Sequence, residues 1–217
     1  MSITLDTNLG RVAVVVTKGD LPEAALDKAA IGGLVGIDTE TSGLDWANDR
    51  LGLVQVFVPA LHTVYLIHPT AETPARLVTL LKSESWVKVF HFALFDLRFL
   101  AARWGITPLN IRCTKVASKL LAPAQKKHSL ADLVKARLGV ELDKTPSIRT
   151  SDWTNDELSE TQLQYAALDA VYLPALFELL EVELQEADLA ELASQSFSFL
   201  PTQLRADLLG VEGLFSY

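Results

Sequence analysis

Cysteine is nearly absent from this chain. Cys113 stands alone among 217 residues, which excludes an internal disulfide and any cysteine-based zinc site. A single thiol suits a reducing compartment, and a cytoplasmic location is the expectation. Long apolar runs are missing too. None reaches the roughly 18 residues that suggest a membrane span, so no membrane is expected among its partners. The opening residues, Met1-Ser2-Ile3-Thr4-Leu5-Asp6, have no basic flank and no apolar stretch, so no signal peptide is expected. Internal repeats and low-complexity linkers are lacking as well. Positive charge is in deficit: 19 Lys and Arg face 27 Asp and Glu, for a net charge of −8. That balance argues against a protein that coats nucleic acid nonspecifically.

What the chain does have is apolar bulk. Apolar residues make up 49%, enough for a sizeable core. The length suits a single domain over residues 1–217, with a core from about 11 to 190 and a packing tail from about 195 to 217. Charge is unevenly spread. Residues 112–150 hold nine Lys or Arg against three Asp or Glu, whereas residues 151–217 hold one against thirteen. A basic stretch in an acidic protein is a candidate phosphate-facing surface, with Lys126, Lys127 and Lys144 as plausible contacts. A plain solvated helical face is the alternative.

The pattern of apolar residues gives the elements. Strands are expected at 11–17, 33–38, 51–58, 63–67 and 86–90, from β-branched and apolar runs bounded by turn residues. Helices are expected at 21–30, 73–82, 93–104, 115–121 and 129–138. A long helical pattern over 158–193 opens on a capping box, Ser159 with Gln162, and Pro174 should kink or split it. Residues 197–217 are apolar but loop-like, and should pack back on the body or on a neighbour. Strands first, with helices interleaved and then dominant, give an α/β layered domain.

Three acidic motifs carry the chemistry. Asp38-Thr39-Glu40 ends an apolar run. On a strand, residues i and i+2 share a face, so the two carboxylates converge. Two anions that close repel unless protonated or bridged by a cation. Asp96 lies inside the apolar run from His91 to Leu100; it either pairs with Arg98 or Arg103 or points into a cleft as a metal ligand. Tyr165 and Asp169 are four apart on one helix, hence on one face. Tyr165 alone could be a half-buried core aromatic and Asp169 an exposed helix charge. The apolar neighbours Ala166, Ala167, Leu168, Ala170 and Val171 argue against exposure of Asp169 on every side. Four carboxylates suit two Mg²⁺ or Mn²⁺ ions, which take oxygen ligands and share substrate phosphate oxygens. Such a pair activates an attacking water and stabilises a leaving oxygen. A tyrosine one turn from a ligand can orient that water.

These motifs, in this order, resemble the DEDD exonucleases, in the subgroup whose third motif is Tyr-x-x-x-Asp. The sister subgroup's histidine has no counterpart, since residues 160–164 are Glu-Thr-Gln-Leu-Gln. The resemblance is closest to ribonuclease D and spans most of the chain. It includes Gly36 to Thr41, Val89-Phe90-His91, Phe95-Asp96-Leu97, Cys113 to Leu120, Lys127 to Leu133, Ser151-Asp152-Trp153 and Tyr165 to Ala170. The tail, with Phe197 to Pro201, Leu208-Leu209-Gly210 and Leu214-Phe215, looks like the short stand-alone bacterial group that includes nano-RNase C. That group is associated with very short RNA substrates and ring-shaped oligomers. This chain departs from it in two places: Thr145 to Thr150 replaces a glutamine-rich run, and Val211 replaces a tryptophan.

The resemblance implies a ribonuclease H-like fold with a mixed central sheet flanked by helices. It implies two Mg²⁺ or Mn²⁺ ions, single-stranded RNA or a short oligonucleotide as partner, and mononucleotides released from a 3′ end. DNA as substrate and a homo-oligomer stay open. Asp38, Glu40, Asp96 and Asp169 would hold the metals, and Tyr165 would orient the nucleophile. Thr39 and Phe95 flank the ligands as candidate substrate contacts. Leu44 would wedge between terminal bases or pack in the core. His91 is either a buried, hydrogen-bonded histidine or a substrate contact. Trp153 is either a packing anchor or a stacking platform.

Overall fold

The computed structural model describes residues 2–29, 33–142, 148, 150–155, 157–211 and 213–215. The strands are β1 (Ser2–Thr7), β2 (Gly10–Lys18), β3 (Leu34–Thr41), β4 (Leu51–Val58), β5 (Thr63–His68), β6 (Val87–Phe90) and β7 (Ile111–Cys113). They form one sheet in the order β1-β2-β5-β4-β3-β6-β7. The sheet is mixed. β4 is antiparallel to both β3 and β5, while β3, β6 and β7 run parallel to one another. β4 is buried along its whole length, which is why its sequence, Leu-Gly-Leu-Val-Gln-Val-Phe-Val, reads as nearly continuous apolar residues.

Strand alternation sorts side chains onto two faces. On one, Leu53 and Phe57 pack with Val12, Val14, Val64 and Leu66 against helix α6 (Glu160–Val171), through Leu163, Ala166, Ala167 and Ala170. On the other, Val35, Ile37, Val54, Val56 and Val58 join the larger core. That core takes in α1 (Glu23–Ala29), α2 (Ala75–Lys82), α3 (Leu94–Trp104), α4 (Thr114–Leu121), α5 (Leu130–Leu138), α7 (Leu173–Glu186) and α8 (Ala190–Leu208). Among the described residues, no helix is long and apolar enough to cross a membrane.

The long helical pattern does split where the proline requires it. α6 opens on the Ser159 and Gln162 capping box. α7 begins at Leu173 with Pro174 in its first turn, where a missing N–H breaks no helical bond. The tail differs from expectation. Residues 197–208 are not a loop but the second half of α8, with Pro201 inside the helix. Ala193, Phe197, Leu200 and Leu204 are buried on one face, and Arg98 of α3 pairs with Asp207 of α8 at 2.7 Å. Packing thus outweighs the cost of an interior proline.

β6 buries an unusual residue. Lys88 is fully buried, and its ammonium donates to the Ser83 carbonyl. Burial, with Arg112 nearby, lowers its pKa from 10.5 to about 8, opposed by Glu84. The folded value lies below the unfolded one, so the folded chain disfavours the protonated form. Stability should therefore be lowest below pH 8, rise between pH 8 and 10.5, and level off above. Lys88→Met should remove that rise. Urea unfolding of both proteins at pH 7 and pH 10 checks it; identical pH responses would mean Lys88 does not titrate in this range.

Candidate active site

The first motif sits at the polar end of β3. Asp38 and Glu40 point to the α6 face, and Thr39 to the opposite face. Gly36, two residues earlier, lies against the Ala170 carbonyl of α6. The close approach brings α6 onto β3, and with it Asp169. As a result, one carboxylate oxygen each from Asp38, Glu40 and Asp169 lies within 4.8 Å of the others. Asp169 is buried, so the alternative of a solvent-exposed helix charge does not hold. Tyr165, one turn earlier on α6, is 8% exposed. Its ring packs 5.9 Å from that of Trp153.

Asp96 reaches the same strand from the other side. It is buried in the first turn of α3, and its Oδ1 accepts from the Thr39 hydroxyl at 2.7 Å. Burial pushes its pKa up to about 7, against the lowering effect of the Thr39 hydroxyl and nearby amides. The ion-pair alternative fails. Arg98 is engaged by Asp207, and Arg103 donates to the Thr70 carbonyl. Asp96 is not one of the three clustered carboxylates; it lies one residue away, through Thr39.

A cavity of about 510 Å³ opens beside the cluster, lined by Thr39, Glu40, Leu44, Phe95, Thr150 and Ser151 among others. Leu44 is 84% exposed there, which rules out core packing. Phe95 is half-buried and its ring packs 5.1 Å from Phe99. His91 has its Nδ1 2.9 Å from the Thr114 hydroxyl. Trp153 is 1% exposed, so no base can stack on it. The substrate-contact expectation for Trp153 is corrected to that of a packing anchor behind Tyr165.

The basic stretch is partly consumed by the fold. Arg137 makes two bonds to Glu183, at 2.8 and 2.7 Å, and Lys135 pairs with Glu141. Lys126 and Lys127 are exposed between α4 and α5, and Lys144 lies outside the described residues. Sequence reasoning missed Phe92 and Lys115. Phe92 is 47% exposed at φ 63°, with the Lys115 ammonium 4.1 Å from its ring centroid. The two positions follow Phe90 and Cys113, which pair in register at the ends of β6 and β7. An aromatic and a lysine just past two buried strands were the available signal.

Hard oxygen donors in a cluster this tight fit Mg²⁺ or Mn²⁺. A carboxylate cluster at the end of an inner strand of a mixed sheet suits metal-assisted phosphodiester hydrolysis. The chain belongs to the 3′-5′ exonuclease family, whose model matches residues 13–185. Ribonuclease D of Jannaschia sp. (strain CCS1) is 32% identical over 177 residues, covering 80% of this chain and 45% of that protein. DNA polymerase I of Aquifex aeolicus is 37% identical over 158 residues, covering 70% of this chain and 24% of that one. The chain thus spans less than half the length of these curated relatives. It is also similar to NrnC of Brucella melitensis, whose structure bound to pGG superposes with a TM-score of 0.85 at 38% identity. That match covers 94% of this chain and 98% of the other. The NrnC structure with bound Mg²⁺ gives 0.84 at 37%, with the same coverage.

Proposed function

We propose that the protein is a 3′→5′ exonuclease that hydrolyses RNA or short oligoribonucleotides and releases nucleoside 5′-monophosphates. The observation that carries this reading is the convergence of Asp38, Glu40 and Asp169, with Tyr165 one helical turn from Asp169. Asp38, Glu40 and Asp169 would hold two Mg²⁺ or Mn²⁺ ions, with Asp96 completing the set from the far side of β3. Bound there, the ions would lower the pKa of the attacking water and stabilise the leaving oxygen. The chain's own residues do the rest. Tyr165 orients the water through its hydroxyl. The cavity beside Glu40 takes the terminal nucleotide, with Leu44 against its base and Phe95 beneath it. Thr39 holds Asp96, and Trp153 fixes the ring of Tyr165 from behind. Lys126 and Lys127 would meet backbone phosphates of longer strands.

Phe92, exposed and backed by a lysine, supports a stacking surface for a further base. Leu209 and Phe215 are each 82% exposed, which supports self-association through the tail. The lone buried thiol fits a cytoplasmic location. Similarity to a DNA polymerase I keeps a DNA-directed activity as the second reading.

One assay separates the two: incubation with Mn²⁺ and 3′- or 5′-labelled RNA and DNA, from dinucleotides to long oligomers. Stepwise shortening of 5′-labelled RNA with mononucleotide release is the expected result. Internal cleavage would overturn the reading, and preference for DNA would select the second. Tyr165→Phe should slow turnover by ~10²–10⁴ while calorimetry finds Mn²⁺ affinity unchanged. Metal affinity lost along with activity would assign Tyr165 a different role.

A further inference from the structure

Gln55 is a polar residue set among apolar neighbours. It sits in mid-β4, fully buried. Among the described residues neither its Oε1 nor its Nε2 has a hydrogen-bond partner. Along the strand its same-face neighbours are Leu53 and Phe57, and across one edge it pairs with Leu66. Leaving a buried amide unpaired is costly, and native proteins hold few such groups. Leucine would fill this position without that cost. An amide kept at such a position points to a partner that the protein side chains around it do not supply in the metal-free state.

The other edge of β4 supplies the partner. Gln55 lies directly opposite Asp38 in the β3–β4 register. Opposed residues share a face, with Cβ atoms about 5 Å apart, so the Gln55 amide group is within reach of the Asp38 carboxylate. Asp38 itself belongs to the three-carboxylate cluster. Three carboxylates gathered this closely repel one another. A divalent cation removes that repulsion and fixes one oxygen of each ligand. The second oxygen of such a ligand then requires a donor, and ligating carboxylates generally have one.

We propose that Gln55 is a positioning residue of the metal centre: its Nε2 donates to the Asp38 oxygen turned away from the cation. The bond forms on loading and holds the carboxylate in its ligating orientation. The assignment rests on the reading of Asp38 as a metal ligand. It also accounts for the burial of an amide among leucines: the group is sheltered from water, so its one partner is the ligand beside it.

The test is Gln55→Leu, with Gln55→Met as a second variant that better matches the length of the side chain. Mn²⁺ affinity is measured by calorimetry without substrate, and the metal-free melting temperature is measured alongside. The expected result has two opposite signs. The metal-free variant melts at the same or a higher temperature, because an unpaired polar group has gone. Mn²⁺ affinity falls 10- to 100-fold, the loss typical of a ligand's supporting bond. Turnover at limiting Mn²⁺ should fall with it and recover at high Mn²⁺, with KM for the oligonucleotide unchanged.

Unchanged Mn²⁺ affinity in both variants, whatever their melting temperature, overturns the proposal and leaves Gln55 a structural or water-holding group. Asp38→Asn separates this from failure of the underlying reading. If Asp38→Asn loses Mn²⁺ and the Gln55 variants do not, only the Gln55 assignment falls. If Asp38→Asn also binds Mn²⁺ normally, the metal-centre reading falls and the assignment with it.

Discussion

Asp96→Asn should cost about three orders of magnitude in turnover, the order lost when one charge-stabilising group leaves a reacting centre, while the melting temperature holds or rises. The reasoning starts from the surroundings of the carboxyl. It is 2% exposed and its pKa is already raised to about 7. The fold therefore gains little from the negative charge as such. Asparagine has the same shape, and its Oδ1 can still accept the bond from the Thr39 hydroxyl. No arginine would be left stranded, since Arg98 and Arg103 are engaged elsewhere. A purely structural Asp96 would give the reverse pattern, with activity kept and stability changed. Measuring kcat beside a thermal melt distinguishes the two.

Gly36→Ala should damage both stability and activity. A Cβ there would stand 2.2 Å from the Ala170 carbonyl oxygen and 3.0 Å from Pro174 Cδ. Neither neighbour is a flexible side-chain tip, so α6 and the start of α7 must move off β3. Overpacking of this kind costs about 3 kcal/mol, or roughly 6–12 °C in a domain of this size. The displaced helix carries Asp169 and Tyr165, so the carboxylate cluster opens at the same time. Gly33→Ala, with nothing within 4 Å of the added carbon, is the matched control. If the two variants melt together, the contact between β3 and α6 is looser than its geometry indicates.

Much of this was legible in the sequence, for physical reasons that vary by element. β4 and β5 were readable because a covered strand needs a short apolar run between turn residues, and little else has that form. The split at Pro174 followed from a missing N–H. β1 was not foreseen, although Ile3 and Leu5 alternate with Ser2, Thr4 and Asp6 as a half-exposed edge strand does. β7 has three residues, too few for any periodicity. In α8, the stretch from residue 197 onward read as apolar but loop-like. The spacing of Phe197, Leu200 and Leu204 argued for a helix, and tertiary burial decided it. Ser196 and Ser198 bond back to the carbonyls of Leu192 and Ser194 rather than ending the helix.

At the site, the three motifs could be found because their residues are chemically out of place in apolar segments. How the motifs meet one another could not. That Thr39 turns away from Asp38 and Glu40 to hold Asp96 depends on which face α3 covers. The sequence also could not separate a buried Trp153 from an exposed one, or foresee that Arg137 and Lys135 are tied to glutamates.

The scarcity of sulfur has a practical consequence at the β7 edge of the sheet. Cys113 ends β7, 1% exposed, with the Ala93 amide donating to its Sγ. Burial pushes its thiol pKa up. An alkylating reagent therefore meets a thiolate only when the packing around the end of β7 opens. With no second thiol to compete, the labelling rate reports those openings alone, and equals the opening rate where alkylation outpaces reclosing. Because that packing adjoins the His91–Asp96 turn, the chain carries its own clock for how often one wall of the site comes apart.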